Sequence, residues 1–409
     1  MGGSFFRAGG WIVGKIRILY VYTTSVISDL IHALRNLKYE VEVYPDIIAK
    51  PFANNEIIDK LAEYIDTHSI THIMSIDIQD NLAHAAVKTG IKYVSVIWDA
   101  PYFALYSPYG RMECCYFSVF DQKDYARCKE RKTPHIIYQP LSVERDFMTS
   151  MHANMDKRQG QQRYLHDVCF IGSLYEENFY DEFMTNAPSV LQDYFISIFE
   201  ETAFKWDGTD RIYGKTSPEI LEYMRRAVPG FQFINFFEIE DTELFEGTFL
   251  VRKIANIERI AILNLLAENY HVTLYTHSQT AREMLSGVEI RPPVNPTKEA
   301  FEVFQQSKIN LNISLKGIER GTPLRVINIC AAGGFALTNY CPETAELFEE
   351  DKEIVMFRSP EELIEKADYY LTHEAEREAI AKAGYEKVLR CYTSEEKCRK
   401  LMEWVESEG

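Results

Sequence analysis

Apolar residues along the chain switch repeatedly between two spacings, and the switching predicts the architecture. Lys15 to Tyr22 (KIRILYVY) is a short β-rich run, after which Ile27, Leu30, Ile31, Leu34 and Leu37 recur at helical spacing. The alternation repeats, with Val41 to Tyr44 as strand, Ile57 to Ile65 as helix, His72 to Ile76 as strand, Leu82 to Val87 as helix and Ile91 to Trp98 as strand. Gly90 stands where a helix C-terminal cap belongs. Cys114 to Phe120 and His135 to Tyr138 add two further strands. Strands separated by helices imply a parallel sheet covered on both faces. Residues 1–150 therefore read as one α/β domain.

The stretch from Met151 to Tyr164 is polar, without an apolar period, and residues 151–165 read as a linker. A second α/β series opens at Asp167 to Ile171, followed by Gly172 and Ser173. From about 176 to 256 an aromatic-rich segment keeps helical spacing and reads as a helical insertion. The series resumes with helix Ile257 to Glu268, strand Val272 to Tyr275, helix Phe301 to Gln306 and strand Ile309 to Ile313. Then come helix Pro323 to Ala332, strand Phe335 to Thr338, helix Glu343 to Phe348 and strand Glu353 to Phe357. Ser359 with Pro360 and Glu362, and Thr393 with Glu396, have the spacing of capping boxes. The second domain thus spans 166–390, and 391–409 forms a C-terminal helix. Two such domains leave a cleft, and ligands of open parallel sheets bind beyond the carboxyl ends of the strands.

Charge narrows the partners. The formal net charge of −17 argues against nonspecific nucleic-acid binding, which needs cations on phosphates. No apolar run approaches the ~20 residues that cross a bilayer, and Met1 to Gly14 shows no signal-peptide pattern. The expectation is a chain with no integral membrane segment. The eight cysteines lack any Cys-x-x-Cys pair, and several lie in apolar runs, as suits reduced thiols in the cytoplasm. The histidines form no metal-ligand spacing.

Several chemistries drop out. Thr23, Thr24 and Ser25 follow the first strand where a dinucleotide enzyme has Gly-x-Gly-x-x-Gly, and neither a P-loop nor a Gly-x-Ser-x-Gly elbow occurs. The informative run is Leu315 to Gly334 (LKGIERGTPLRVINICAAGG). It leaves a strand, turns at Gly321 and enters a helix with Thr322 as cap and Pro323 as first residue. Arg325 in the first turn, with Arg320 and Lys316 before it, places cations where the helix dipole disfavours them. A phosphate or pyrophosphate held between helix start and guanidinium groups reverses that sign. The alternative is a surface network in which Glu319 and other carboxylates pair with these bases.

From Lys308 to Trp404 the chain resembles the C-terminal glycosyltransferase domain of the CgeB-type (spore maturation protein) family. The residues carrying this are GTPLRVINICAAGGFALTNY, PETAELFEEDKEIVMF and SPEELIEKADYYLTHEAEREAIAKAGYEKV ending in CYT. DVCFIGS at Asp167 to Ser173 and VIWDAPY at Val96 to Tyr102 also resemble that family. The resemblance implies a GT-B fold, two Rossmann-like domains facing across a cleft, with the nucleotide-sugar donor on the C-terminal domain and the acceptor on the N-terminal one. It implies no cofactor and no bound metal, the nucleoside-diphosphate sugar being substrate. Arg325 takes a diphosphate role, Gly172 and Ser173 line the opposite side, and the amides at Glu343 and Thr344 meet the sugar or its phosphate. Related enzymes hold the ribose with a Glu where this chain has Asn328, an amide that binds hydroxyls more weakly.

By position His277, after strand Val272 to Tyr275, and Arg291 flank the base and ribose. Asp99 follows an apolar strand and, facing the cleft, is placed to deprotonate an acceptor hydroxyl, with Asp121 a weaker candidate of the same kind. Asp77 and Asp80 read as a turn with a helix cap, and Lys123 to Lys132 as a solvated helix face. The reading is a metal-independent glycosyltransferase moving a hexose or similar sugar from a nucleoside diphosphate, UDP favoured, to a glycan, lipid or protein hydroxyl. A nucleotide-sugar epimerase and a non-catalytic nucleotide-sugar-binding protein of surface assembly are the alternatives.

Overall fold

The computed structural model describes residues 16–23, 30–48, 52–156, 163–209 and 212–408. Thr24, Ser25, Ile27 and the Met1 to Gly14 segment lie outside the described residues. Six strands form the first sheet: β1 (Arg17–Tyr20), β2 (Glu40–Val43), β3 (His72–Ile76), β4 (Lys92–Val96), β5 (Cys115–Val119) and β6 (His135–Tyr138). Six more form the second: β7 (His166–Ile171), β8 (Val272–Tyr275), β9 (Glu289–Arg291), β10 (Ser307–Asn312), β11 (Ala336–Asn339) and β12 (Val355–Phe357). The orders are β2-β1-β3-β4-β5-β6 and β12-β11-β10-β7-β8-β9, with every pairing parallel. Each sheet therefore reverses its winding once, between β1 and β3 and between β7 and β10, which opens a crevice at the carboxyl ends of those strands.

The central strands are short apolar runs because helices cover both faces, as β5 (CYFSV), buried throughout, illustrates. Gly90 ends its helix at φ 71°, as its position predicted. Between β7 and the long helix Val251–Ala267 lies the helical insertion, whose own core includes Phe195, Phe245 and Leu250. That long helix begins earlier than the predicted Ile257, running on directly from a π-turn over Glu246–Leu250.

Two predicted features differ. Residues 151–156 are not linker but the end of helix Arg145–Asp156, and 157–162 lie outside the described residues. Met148 and Met151 are buried against Phe301 and Val326, so an apolar face crosses the boundary set at 150. Thr393 does precede helix Ser394–Ser407, but its side chain makes no cap hydrogen bond. That helix returns to the first domain, where Cys398, Leu401, Met402 and Val405 pack with Ile18, Tyr20, Leu30 and Leu34. Burial of each such aliphatic side chain contributes about 1.5–3 kcal/mol, so the C-terminus holds the first domain to the second. No helix among the described residues is long and apolar enough to cross a membrane.

The two domains also meet directly. Asp121 and Gly321 form an isolated antiparallel bridge, and Gln122 N donates to Arg320 O at 2.8 Å. This seam joins the loop after β5 to the loop after β10.

Candidate functional site between the two sheets

The crevice between β7 and β10 holds the residues that the sequence marks most strongly. The loop after β7 begins with Gly172, whose N donates to Tyr275 O at 2.9 Å. A Cβ at position 172 would lie 3.0 Å from Nη2 of Arg325, so the absent side chain lets the guanidinium approach the loop. Arg325 sits in the first turn of helix Leu324–Ala331, which follows β10. The N-cap of that helix is Pro323, one residue later than the predicted Thr322, and no side chain caps it. Thr322 is instead buried, its hydroxyl 3.1 Å from that of Thr344.

Arg325 is held by weak partners. Its Nη1 lies 3.5 Å from Asn312 Oδ1, its guanidinium stands 5.4 Å from the centre of the Phe170 ring, and no carboxylate among the described residues pairs with it. On the same ring, at 5.2 Å, lies a second guanidinium, Arg259, from the long helix Val251–Ala267. Arg259 is buried and donates to Ser173 O at 2.7 Å and to Ile313 O at 2.6 Å, while its Nε–H has no acceptor among the described residues. Burial, followed by the nearby Arg259 charge, lowers Arg325 to about 10, still protonated at neutral pH. Burial lowers Arg259 as well.

Two cations that share one ring, Arg259 with the charge of Glu258 nearby and Arg325 with no carboxylate partner among the described residues and in the first turn of an uncapped helix, form an arrangement costly in itself. A bound anion removes the cost by supplying the missing charge and acceptors. Arg259 is the cation of this crevice that the sequence reading did not single out.

The other predicted cations are spoken for. Lys316 lies 3.2 Å from the buried Glu258 carboxylate and donates to Lys205 O at 2.7 Å. Arg320 pairs with Glu346 and donates to Gln122 Oε1 at 3.1 Å, which ties it to the interdomain seam. Glu319 accepts from Arg127 at 3.0 Å. The surface-network alternative therefore describes Arg320, Lys316 sits in a buried ion pair, and Arg325 is left without a carboxylate partner among the described residues. Arg291 is bound to Glu289 at 2.8 Å and to the Tyr275 hydroxyl at 3.1 Å, and His277 is exposed beyond the end of β8. Ser173 turns its hydroxyl to the N–H of Tyr175 at 2.9 Å, leaving its carbonyl to Arg259. Asn328, half-buried one turn after Arg325, has no side-chain hydrogen bond among the described residues.

Glu343 and Thr344 open helix Pro342–Leu347, but Glu343 is fully buried in the seam and accepts from Tyr138 of the first domain. Burial raises its carboxyl to about 8. Asp121 is likewise a seam residue, accepting from the N–H groups of Lys123 at 2.7 Å and Arg320 at 3.0 Å. It is a cap and a bridge rather than a free base.

Asp99, after β4, does face the second domain. The Pro101 ring lies where a Cβ on Gly317 would come within 2.7 Å of it, so this loop touches the loop after β10. Asp99 is open to the cleft, yet the surrounding atoms raise its carboxyl above the ordinary range, with Arg252 of the second domain acting in the opposite direction. Arg252 and Arg259 stand seven residues, or two turns, apart on helix Val251–Ala267. At 1.5 Å per residue that separation is about 10 Å, so one helix links the guanidinium pair to the carboxylate. His32, Glu144 and Asp146, distant in sequence, also converge closely enough to share an ion, a grouping invisible to residue spacing.

A sequence model of the family described as "Glycosyl transferase-like" matches residues 252–403 of this chain. No curated protein matches it. Among solved structures, a glycosyltransferase from Rickettsia africae is similar at a TM-score of 0.53 and 10% identity, over 97% of this chain and 99% of that one. Anabaena HepE in complex with UDP-glucose is similar at 0.52 and 9%, over 96% and 100%. Sucrose-phosphate synthase from Thermosynechococcus elongatus is similar at 0.51 and 8%, over 96% and 98%. The expected GT-B fold is the fold observed.

Proposed function

We propose that this chain is a glycosyltransferase that moves a sugar from a nucleoside diphosphate, UDP favoured, to an acceptor hydroxyl. The observation carrying this reading is the pair of guanidinium groups, Arg259 and Arg325, on one ring at the β7/β10 crevice, neither in an ion pair among the described residues. The match of residues 252–403 to a glycosyl transferase-like family and the UDP-glucose bound by the similar HepE fold support it.

In this reading the acceptor oxygen attacks the anomeric carbon as the bond from that carbon to the diphosphate oxygen breaks. The electron pair leaves with the diphosphate, and charge develops on its oxygens. The buried Arg259, the half-buried Arg325 and the N–H groups at the start of helix Leu324–Ala331 face that charge. The guanidinium groups supply the positive charge that the leaving group needs, so the reading calls for no metal. Asp99 takes the proton from the acceptor hydroxyl, burial having raised its proton affinity above that of an ordinary carboxylate. Asn328, on the helix that carries Arg325, holds the ribose by amide hydrogen bonds. The acceptor, a glycan, lipid or protein hydroxyl, enters along the first domain.

Donor hydrolysis and sugar transfer by Arg325→Ala test the assignment. Loss of one charge-stabilising donor group costs about 10²–10³-fold in turnover, with circular dichroism unchanged. Wild-type turnover in a folded variant refutes the role.

A further inference from the structure

Below Asp99 lies a second carboxylate that the mechanism does not use. Asp77 directly follows β3 at a φ of 54°, a left-handed backbone that Asp tolerates better than most side chains. It is fixed there from three sides. Its N–H donates to Val96 O at 3.0 Å, and its carbonyl accepts from Ser75 Oγ at 2.9 Å and Tyr93 Oη at 3.2 Å. This conformation sends the carboxylate across to the neighbouring strand, where Oδ1 accepts from Trp98 N at 3.0 Å. Trp98 precedes Asp99, so the contact anchors the backbone that presents the proposed base.

We propose that Asp77 is a positioning residue for Asp99, its carboxylate holding the Trp98–Asp99 backbone at the end of β4. The inference rests on the reading of Asp99 given above. Burial, and then the Asp99 charge, raise Asp77 to about 7, against the N–H groups of Trp98 and Asp99, which lower it. The charged and titratable groups around the pair are Tyr93 from β4, Tyr102 from the following loop, and Arg252 from the second domain. The Tyr102 hydroxyl is occupied by Ile78, accepting from its N–H at 2.9 Å. Two carboxylates thus share one end of the sheet, and the charge of Asp99 favours the protonated form of Asp77.

Asp77→Asn keeps an oxygen for the Trp98 N–H and removes the charge, whereas Asp77→Ala removes both. The readout is amide hydrogen exchange at Trp98, followed by NMR of nitrogen-15-labelled protein. It does not depend on turnover. In Asp77→Asn, which keeps the acceptor, protection of the Trp98 amide is retained and KM for the UDP-sugar stays constant. In Asp77→Ala the Trp98 amide exchanges about tenfold or more faster as the loop loses its anchor, and kcat falls about 10²-fold with donor KM again unchanged. Trp98 exchange that is unchanged in folded Asp77→Ala overturns the proposal. If that exchange accelerates but Asp99→Asn turns over like the wild type, Asp77 does position the Trp98–Asp99 backbone, and it is the base assignment of Asp99 that falls.

Discussion

Gly172 shows how much of the crevice is set by a missing side chain. Its N–H belongs to the backbone pairing with Tyr275, and the space a Cβ would fill is occupied by the Arg325 guanidinium at 3.0 Å. Gly172→Ala therefore displaces Arg325 by a few tenths of an ångström without disturbing the sheet. The expected result is an increase of about tenfold in KM for the UDP-sugar, measured by steady-state kinetics, with the melting temperature within a few degrees of wild type. A normal KM shows that the guanidinium has room to retreat. Arg325 itself was legible in the sequence because a cation in the first turn of a helix is an electrostatic oddity that needs an explanation. Arg259 carried no such mark. It lies mid-helix between Glu258 and Ile260, and only the tertiary contact with Phe170 shows that it points into the crevice. Lys316 and Arg320 looked equivalent to Arg325, and the partners that separate them, Glu258 and Glu346, come from other elements.

Short elements at the seam turn buried charge into pH dependence. Helix Pro342–Leu347 carries Glu343 into full burial, where Tyr138 donates to one oxygen and the other has no partner among the described residues. The folded-state value of about 8 lies above the ordinary 4.5. The folded protein therefore holds a proton that the unfolded chain releases, a stabilisation complete below about 4.5 and lost as pH rises through about 8. Glu343→Gln keeps the shape and removes the titration. Relative to wild type the variant should gain stability steadily between pH 5 and pH 8, by an amount on the order of a few kcal/mol at the upper end. Denaturant titrations across that range measure it, and a constant difference contradicts the burial argument. The strands themselves were readable because a parallel sheet buries both faces and leaves short apolar runs. The 151–165 linker was misread because Met148 and Met151 belong to a helix whose apolar face straddles the boundary.

At the scale of the whole molecule, a chain with a net charge of −17 brings two guanidinium groups onto one ring in one crevice. The alternation of strand and helix announced two doubly wound sheets. It did not announce their seam, which depends on Asp121 meeting Gly321 and on helix Ser394–Ser407 returning to the first domain. Those contacts bring the β4 loop with Asp99 against the β10 loop, so the proposed base and the proposed diphosphate site belong to one cleft. Helix Val251–Ala267 spans it, with Arg252 toward the carboxylate and Arg259 toward the anion. A crystal of the protein grown with UDP examines this account most directly. The prediction is diphosphate density between Arg259 and Arg325 at the start of helix Leu324–Ala331, with the ribose toward Asn328. UDP bound instead at the Lys316–Arg320 loop, or a crevice in which both guanidinium groups keep their positions with no nucleotide beside them, contradicts it.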